Sequence, residues 1–377
     1  MRILKKRWTY FAVIAALSFL IVMLPDAVEN DIHVIPRVQV EVLEVDNSLL
    51  DPVGIVYNGA QECVVQINEG KYKGEKIQAQ NYLNASLDKD KLYKPGEKAI
   101  CMLHERANDL VGTMVDHDRR GVMFILLALL FVMLAIFGGL SGVGASLSLV
   151  FTAIVIWKVY IPLMIQGYPP VATAIGLIAV LGSVICVLVS GPNLRALTAI
   201  LGGFAGTAVT VILGVIFTKL FKLDGGMLPY IVPLLSQSGM TFNMNELFLC
   251  TIFIGNAGAV IDLAMDISAG CTEIISHAPN VTAKDLMKSG FNIGKMDIGT
   301  MSNTLVMGYA GGFLSMLLYF SAQGTPLVDI LNYRFVAAEI MVTLVGCFGL
   351  ISAAPLTSFI ASRIMTANPQ KMLEIED

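Results

Sequence analysis

Acidic residues inside apolar helical runs constrain this chain more than any other feature. From Gly255 to Tyr309 it reads GNAGAVIDLAMDISAGCTEIISHAPNVTAKDLMKSGFNIGKMDIGTMSNTLVMGY. The first run carries Asp262, Asp266 and Glu273. At a helical advance of about 100° per residue, these three fall within about 40° of one another on one face. A second run opens with Asp297, Thr300, Asn303 and Thr304. An ionised Asp at the centre of an inserted helix costs about 2.5–3.5 kcal/mol on insertion scales. Acids so placed must pair with a cation, carry a proton or face water.

Composition makes the membrane setting the governing one. Of the 377 residues, 55% are hydrophobic and 14% are charged, against about 25% charged in soluble domains. The net charge of −4 is small, and no basic cluster argues for nucleic acid as a partner. Apolar runs at about 121–138, 143–161, 171–190, 196–218, 247–270, 302–320 and 335–360 are each near the roughly 20 residues that a bilayer core demands. An N-terminal run, Tyr10–Leu24, follows Arg2, Lys5, Lys6 and Arg7. LSFLIVMLPDAVEN shows no small-x-small cleavage site, so this run reads as an uncleaved anchor.

The expected fold is therefore a polytopic α-helical membrane protein of about eight transmembrane helices. A small extracytoplasmic β-barrel or sandwich, OB- or SH3-like, lies between the first and second helices. The divisions are an anchor at 1–25, a β-rich domain at 26–120, a seven-helix membrane domain at 121–365 and a cytoplasmic tail at 366–377. GGLSGVG, between the second and third helices, is short enough for a tight hairpin only. Basic residues bias both termini to the cytoplasm. Inside would lie Arg2, Lys5, Lys6, Arg7, Arg195, Lys284, Lys288, Lys295, Arg363 and Lys371, and outside Arg119, Arg120, Lys158, Lys219, Lys222 and Arg334. Arg119 and Arg120 run against that bias and are expected to snorkel to headgroups.

Within 26–120, RVQVEVLEV, ECVVQIN, EKIQAQNYL and EKAICMLHE read as strands. Asn58-Gly59, Glu69-Gly70, Lys73-Gly74 and Lys94-Pro95-Gly96 read as turns. Cys63 and Cys101 share this domain and could pair, whereas Cys186, Cys250, Cys271 and Cys347 sit in or beside apolar runs as small hydrophobes. His33, His104 and His117 are isolated. Gly202-x-x-x-Gly206 and Gly308-x-x-x-Gly312 suit close helix approach in lipid. The segment 224–245, broken by Pro229 and Pro233, is too short to span and reads as re-entrant or interfacial.

GAVIDLAMDISAGCTEI and SGFNIGKMDIGTMSNTLVMGYAGG resemble the YibE/F family of bacterial membrane proteins. The matching positions are Gly258, Ala259, Asp262, Ala264, Met265, Ile267 and Glu273. They continue with Ser289, Gly290, Ile293, Gly294, Asp297, Gly299, Thr300, Met301, Asn303, Thr304 and Leu305. Lys295 stands where the family pattern has arginine, keeping the charge without the planar fork. Asp266 is an acid additional to that pattern. The resemblance extends over Arg37–Met365, GKYKGEKIQAQN included. It implies a polytopic membrane protein with a β-rich external domain and a transport role.

The residues themselves support a proton or cation site. Asp262 and Asp266, one turn apart, could share a proton or hold a hard cation with Asn256, Thr300 or Asn303. Glu273 would form the cytoplasmic exit, and Asp297, with Thr300 and Thr304 on its face, the partner from the next helix. The plainer alternative pairs these acids with Lys295, Lys284 or Lys288, which would only tie two helices together. No basic residue within a span is available to Asp262 or Asp266. Glu273 and His277, at i and i+4, form an isolated pair short of a metal site.

No nucleophile elbow, HExxH or P-loop occurs. Asp262 with Asp297 would imitate an intramembrane aspartyl pair only outside that class's sequence surroundings. The expectation is a non-enzyme without cofactor: a secondary transporter or permease coupled to a proton or cation. The other reading is a scaffold whose external domain binds an envelope or secreted partner. Both place the chain in the cell membrane, where oligomers are possible. Thr282-x-x-Asp285 marks the start of the second acid-bearing helix.

Overall fold

The computed structural model describes residues 2–24, 35–106, 109–238 and 243–368. The first residues of the expected external domain, the tip of the 224–245 segment and the tail beyond 368 lie outside the described residues. The chain divides into two compact units, Glu29–Val132 and Met1–Val28 with Met133–Asp377.

In the first unit, alternating sequences form β1 (Arg37–Asp46), β3 (Val56–Ile67) and β4 (Lys76–Asn84). The others are β2 (Leu50–Val53), β5 (Lys98–Arg106) and β6 (Asp109–His117). β1 pairs with both β3 and β5, so five strands close in the order β1-β3-β4-β6-β5 and back to β1. Every pair in the ring is antiparallel except β4 with β6, where Gln78, Ala79 and Gln80 face Val111, Gly112 and Thr113. A five-stranded Greek-key ring with one parallel pair is OB-like in order rather than SH3-like.

Period-two alternation turns Val38, Val40 and Val42 inward with Val65, Ile67, Ile77, Leu103 and Met114 to fill the barrel. Each such side chain contributes about 1.5–3 kcal/mol when fully buried. The barrel is narrow at Gly112, where a Cβ would strike Cys101 Sγ and lie 2.9 Å from Ala79 Cβ. Buried Gln61 ties the loops to this core. Its Nε2 donates to Asn47 Oδ1 (2.8 Å) and the Tyr93 carbonyl (3.0 Å), and its Oε1 accepts from the Tyr93 amide (2.9 Å).

Three expectations are corrected here. Asn58 and Gly59 do not turn the chain: they lie within β3, paired with Asn84 and Leu83 of β4. The turn comes earlier, at Gly54, with φ of 62°. Gly59 is required instead by close approach, since a Cβ there would meet the Leu49 carbonyl oxygen. Cys63 and Cys101 are free thiols, 2% and 0% exposed. Burial pushes their pKa values up to about 11 and about 12. Arg119 and Arg120 bind acids rather than snorkel. Arg120 grips Asp118 with two hydrogen bonds (2.9 and 3.0 Å) and reaches Glu69 (3.1 Å), while Arg119 meets Asp116 at 3.0 Å.

The second unit is helical. α1 is Arg2–Val22, and α2 (Arg120–Val155), whose residues up to Val132 fall in the first unit, runs through a π-helical turn at Ile156–Tyr160 into α3 (Ile161–Ile165). α4 (Pro170–Ser190), α5 (Leu194–Leu220) and the short α6 (Ile231–Ser238) follow. α7 (Met244–His277) and α8 (Ala283–Gly312) carry the acids, and α9 (Leu314–Ala322), α10 (Leu327–Asn332) and α11 (Arg334–Thr366) complete the chain.

Among the described residues, five helical stretches are long and apolar enough to cross a membrane. A sixth is added if α8 and α9, bent by 63°, act as one span. The expected second and third spans fall in one 46-residue stretch, Arg120–Ile165. That stretch leaves helical geometry at Gly139 (φ 53°, ψ −132°), and a Cβ on Gly142 would collide with the Leu134 carbonyl. A straight helix would hold residues eight apart at about 12 Å, so the chain bends sharply at Gly139, within the segment where a hairpin was expected.

α5, α7, α8 and α11 make the packed centre. Gly202 and Gly206 of α5 lie against Thr357 and Ala353 of α11, as their spacing suggests. Gly308 and Gly312 correct the companion expectation, since both face open space. The α8 seam is formed one helical stretch earlier. Gly290 meets Cys271 and Ser358, and Gly294 meets Ala354 and Ile267, each with a contact within 2.9 Å of a notional Cβ.

Candidate functional site

α7 starts at Asn243, whose side chain accepts from the Asn245 and Glu246 amides (3.2 and 3.4 Å). Its 34 residues rise about 51 Å at 1.5 Å each. Val260, Ala264, Ile267, Cys271 and Ile275 recur every three or four positions, and all are buried. Asp262, Asp266 and Glu273 sit about 200–240° round from Val260 and are exposed on the face opposite that stripe. One edge of the acid face is α8, which touches α7 at Gly270 through Ile293. The other edge is α4 and α5, where Ile261 of α7 packs on Gly182 and Gly203. The acids thus line an open groove between α8 and the α4–α5 pair.

Charges converge on that groove. Asp266 acts on Asp262, and Asp297 of α8 acts on Asp266. Arg195, the second residue of α5, acts on Asp266 as well. Cys186 of α4 lies within reach of Asp262. Asn193 sets Arg195 in place: it caps α5 by accepting from the Ala196 amide at 3.0 Å. The sequence reading assigned Arg195 to a short inside segment and allowed Asp262 and Asp266 no cation. The structure corrects this for Asp266. The signal available was the proline-asparagine start PNLRAL, which puts Arg195 in a first helical turn.

The remaining candidates divide. Asp297 stands half-buried at the margin of the α8 contact. Thr300, Asn303 and Thr304 are exposed. Thr300 Oγ1 donates to the Asp297 carbonyl (3.1 Å) and Thr304 Oγ1 to the Thr300 carbonyl (3.0 Å), so both hydroxyls are engaged by their own helix. Asn256 is not brought to the acids. It is fully buried on another face of α7, where its Nδ2 donates to the Ile252 carbonyl (2.9 Å) and to that of Val342 in α11 (3.4 Å).

Lys295 holds its ammonium 5.0 Å from the centre of the Phe291 ring. Glu273 and His277 approach to 3.6 Å, both well exposed. Among the described residues, no three His, Cys, Asp or Glu side chains gather closely enough to hold a metal. Thr282 caps α8 as expected, accepting from the Asp285 amide at 3.2 Å and donating to its carboxylate at 2.6 Å. Sequence reading missed Glu339 and Tyr309. Half-buried Glu339 of α11 acts on Tyr309, whose hydroxyl lies 3.1 Å from a notional Cβ on Gly255 of α7. Glu339 is a lone acid near a helix start, so it carries no pattern that a sequence reader could recognise.

Apolar helices of membrane-spanning length, a packed glycine-rich centre and a closed five-stranded barrel define a membrane protein with an appended β domain. The family model for YibE/F-like protein matches residues 126–367, and the chain belongs to that family. The match covers every helix that lines the groove. Neither a curated protein nor a solved structure matches the chain.

Proposed function

We propose that the chain is a secondary transporter or permease that couples solute movement to a proton or cation held by Asp262, Asp266 and Asp297. The observation that carries this reading is the convergence of three carboxylates and Arg195 on one groove between apolar helices. Acids that only pinned α7 to α8 would need a cation on each; the lysine nearest to them in sequence, Lys295, stacks on Phe291. In a bilayer the groove must hold water or a cation, because hydrocarbon does not tolerate ionised carboxylates. Glu273, at the end of α7, then serves as the exit toward the cytoplasm. The reading includes eight crossings, both termini cytoplasmic and the barrel outside, in the cell membrane.

Chemical labelling tests this site. Dicyclohexylcarbodiimide modifies protonated carboxyls in apolar surroundings. With the protein in lipid, adducts mapped by mass spectrometry are expected on Asp262 or Asp266, suppressed by raised pH or by the coupling cation. Adducts confined to the barrel's surface acids would defeat the proposal. The closed barrel favours one second reading, a scaffold that captures an envelope or secreted partner. Deleting 32–105 would then abolish partner capture, with no flux to lose.

A further inference from the structure

The outer face of the barrel carries a groove of about 480 Å³ that the transport reading does not use. Strand register builds it from two rows of outward side chains. In the first row Asp46 of β1 faces Glu62 of β3, Glu62 faces Gln80 of β4, and Gln80 faces Thr113 of β6. The second row runs Glu44, Val64, Gln78, Val111 and His104 across all five strands. Three carboxylates therefore gather at the β1–β3 end. Valines and amides lie in the middle, and the Thr113–His104 pair (3.2 Å) closes the far end. Tyr82, 58% exposed, stands beside the amides.

Like charges directly opposite on paired strands are destabilising, and Asp46 and Glu62 are such a pair. Asp46 accepts one backbone bond, from Ser48 at 2.8 Å. Among the described residues, none of Glu44, Asp46 and Glu62 forms an ion pair. A ligand that supplies positive charge at this end would remove the repulsion. Nor is a metal ion the fitting occupant, since among the described residues no three ligating side chains converge. Charge spread along a chain suits the spacing better: two acids face each other across the strands, and the third lies one pleat, about 7 Å, away. The valine floor matches methylene groups, and the Tyr82 ring can take an ammonium on its face. Barrels of this order bind oligonucleotides and oligosaccharides over their second and third strands, and the acidic lining here repels the polyanions among these.

We propose that this groove binds a small aliphatic polyamine, its ammonium groups at Glu44, Asp46 and Glu62 and its methylenes over Val64 and Val111. The volume lies in the range of small-molecule sites. The proposal is independent of the transport reading.

The test is calorimetric titration of the full chain in lipid nanodiscs with spermidine. 1,8-Octanediol, magnesium and a lysine-rich peptide serve as comparators. Saturable one-to-one binding of spermidine is expected, at least tenfold weaker in Glu44→Gln/Glu62→Gln and in raised salt, weaker in Tyr82→Ala, and unchanged in Glu75→Gln. The exposed positions leave folding intact, which an unchanged melting temperature of each variant checks. No saturable spermidine binding, equal binding by the double variant, or preference for magnesium or the peptide would each overturn the proposal.

Discussion

Asp118 shows how single charges are handled outside the membrane helices. Arg120 holds it by two hydrogen bonds and Gln39 Nε2 donates to it, so its carboxyl stays well below the usual carboxylate range. Unfolded, it titrates near about 3.9. A depressed folded value means that its stabilising contribution is complete above the unfolded pKa and is lost as pH falls toward the folded one. Amide exchange of β1 and β6 in the parent and in Asp118→Asn should therefore differ at pH 7, with the parent better protected. That gap should begin to narrow below about pH 4 and keep narrowing as pH falls toward the folded value; a gap that does not narrow would show that the contribution is not ionic. The thiols make the opposite case. With pKa values of about 11 and about 12, Cys63 and Cys101 carry little thiolate at pH 8, and thiolate is the reactive form. Maleimide should label them only on unfolding, and rapid labelling of the native protein would contradict their burial.

At the scale of elements, glycine seams hold the helices, and the seams are not interchangeable. Gly294→Val places a branched side chain against Ala354 and Ile267, where even a lone Cβ would lie 2.9 Å from each. Overpacking of this kind costs about 1–3 kcal/mol, so its melting temperature in detergent should drop by several degrees. Gly308→Ala, in open space, should leave it unchanged or slightly raised. Equal effects at both positions would refute the seam. The same contrast shows what the sequence could disclose. Period two in RVQVEVLEV and ECVVQIN, and period 3.6 in the acid run of α7, were legible because each element buries one face. β6 was not read, since DLVGTMVDH is short and opened by acid, and its parallel pairing with β4 is long-range. Arg195 near Asp266 was equally hidden: α5 is joined to that face by packing at Gly203, not by any local pattern. Asn256 was misplaced for the converse reason, because a polar residue near acids in sequence lies on another face of the same helix.

For the whole molecule, the proposed topology of eight crossings with both termini cytoplasmic would put the barrel outside. Single cysteines introduced at Tyr82 and at Lys284 should therefore label from opposite sides of intact cells, with an impermeant maleimide reaching only the first. The reverse pattern would invert the topology and with it the direction of the acidic groove. The central claim is that Asp262 and Asp266 carry a moving proton or cation. The most direct measurement is gradient-driven proton or sodium flux into proteoliposomes containing the parent or Asp262→Asn/Asp266→Asn, matched for inserted protein and melting temperature. The parent should exceed empty vesicles and the double variant should not; a variant as fast as the parent, or a parent no faster than empty vesicles, would contradict the account.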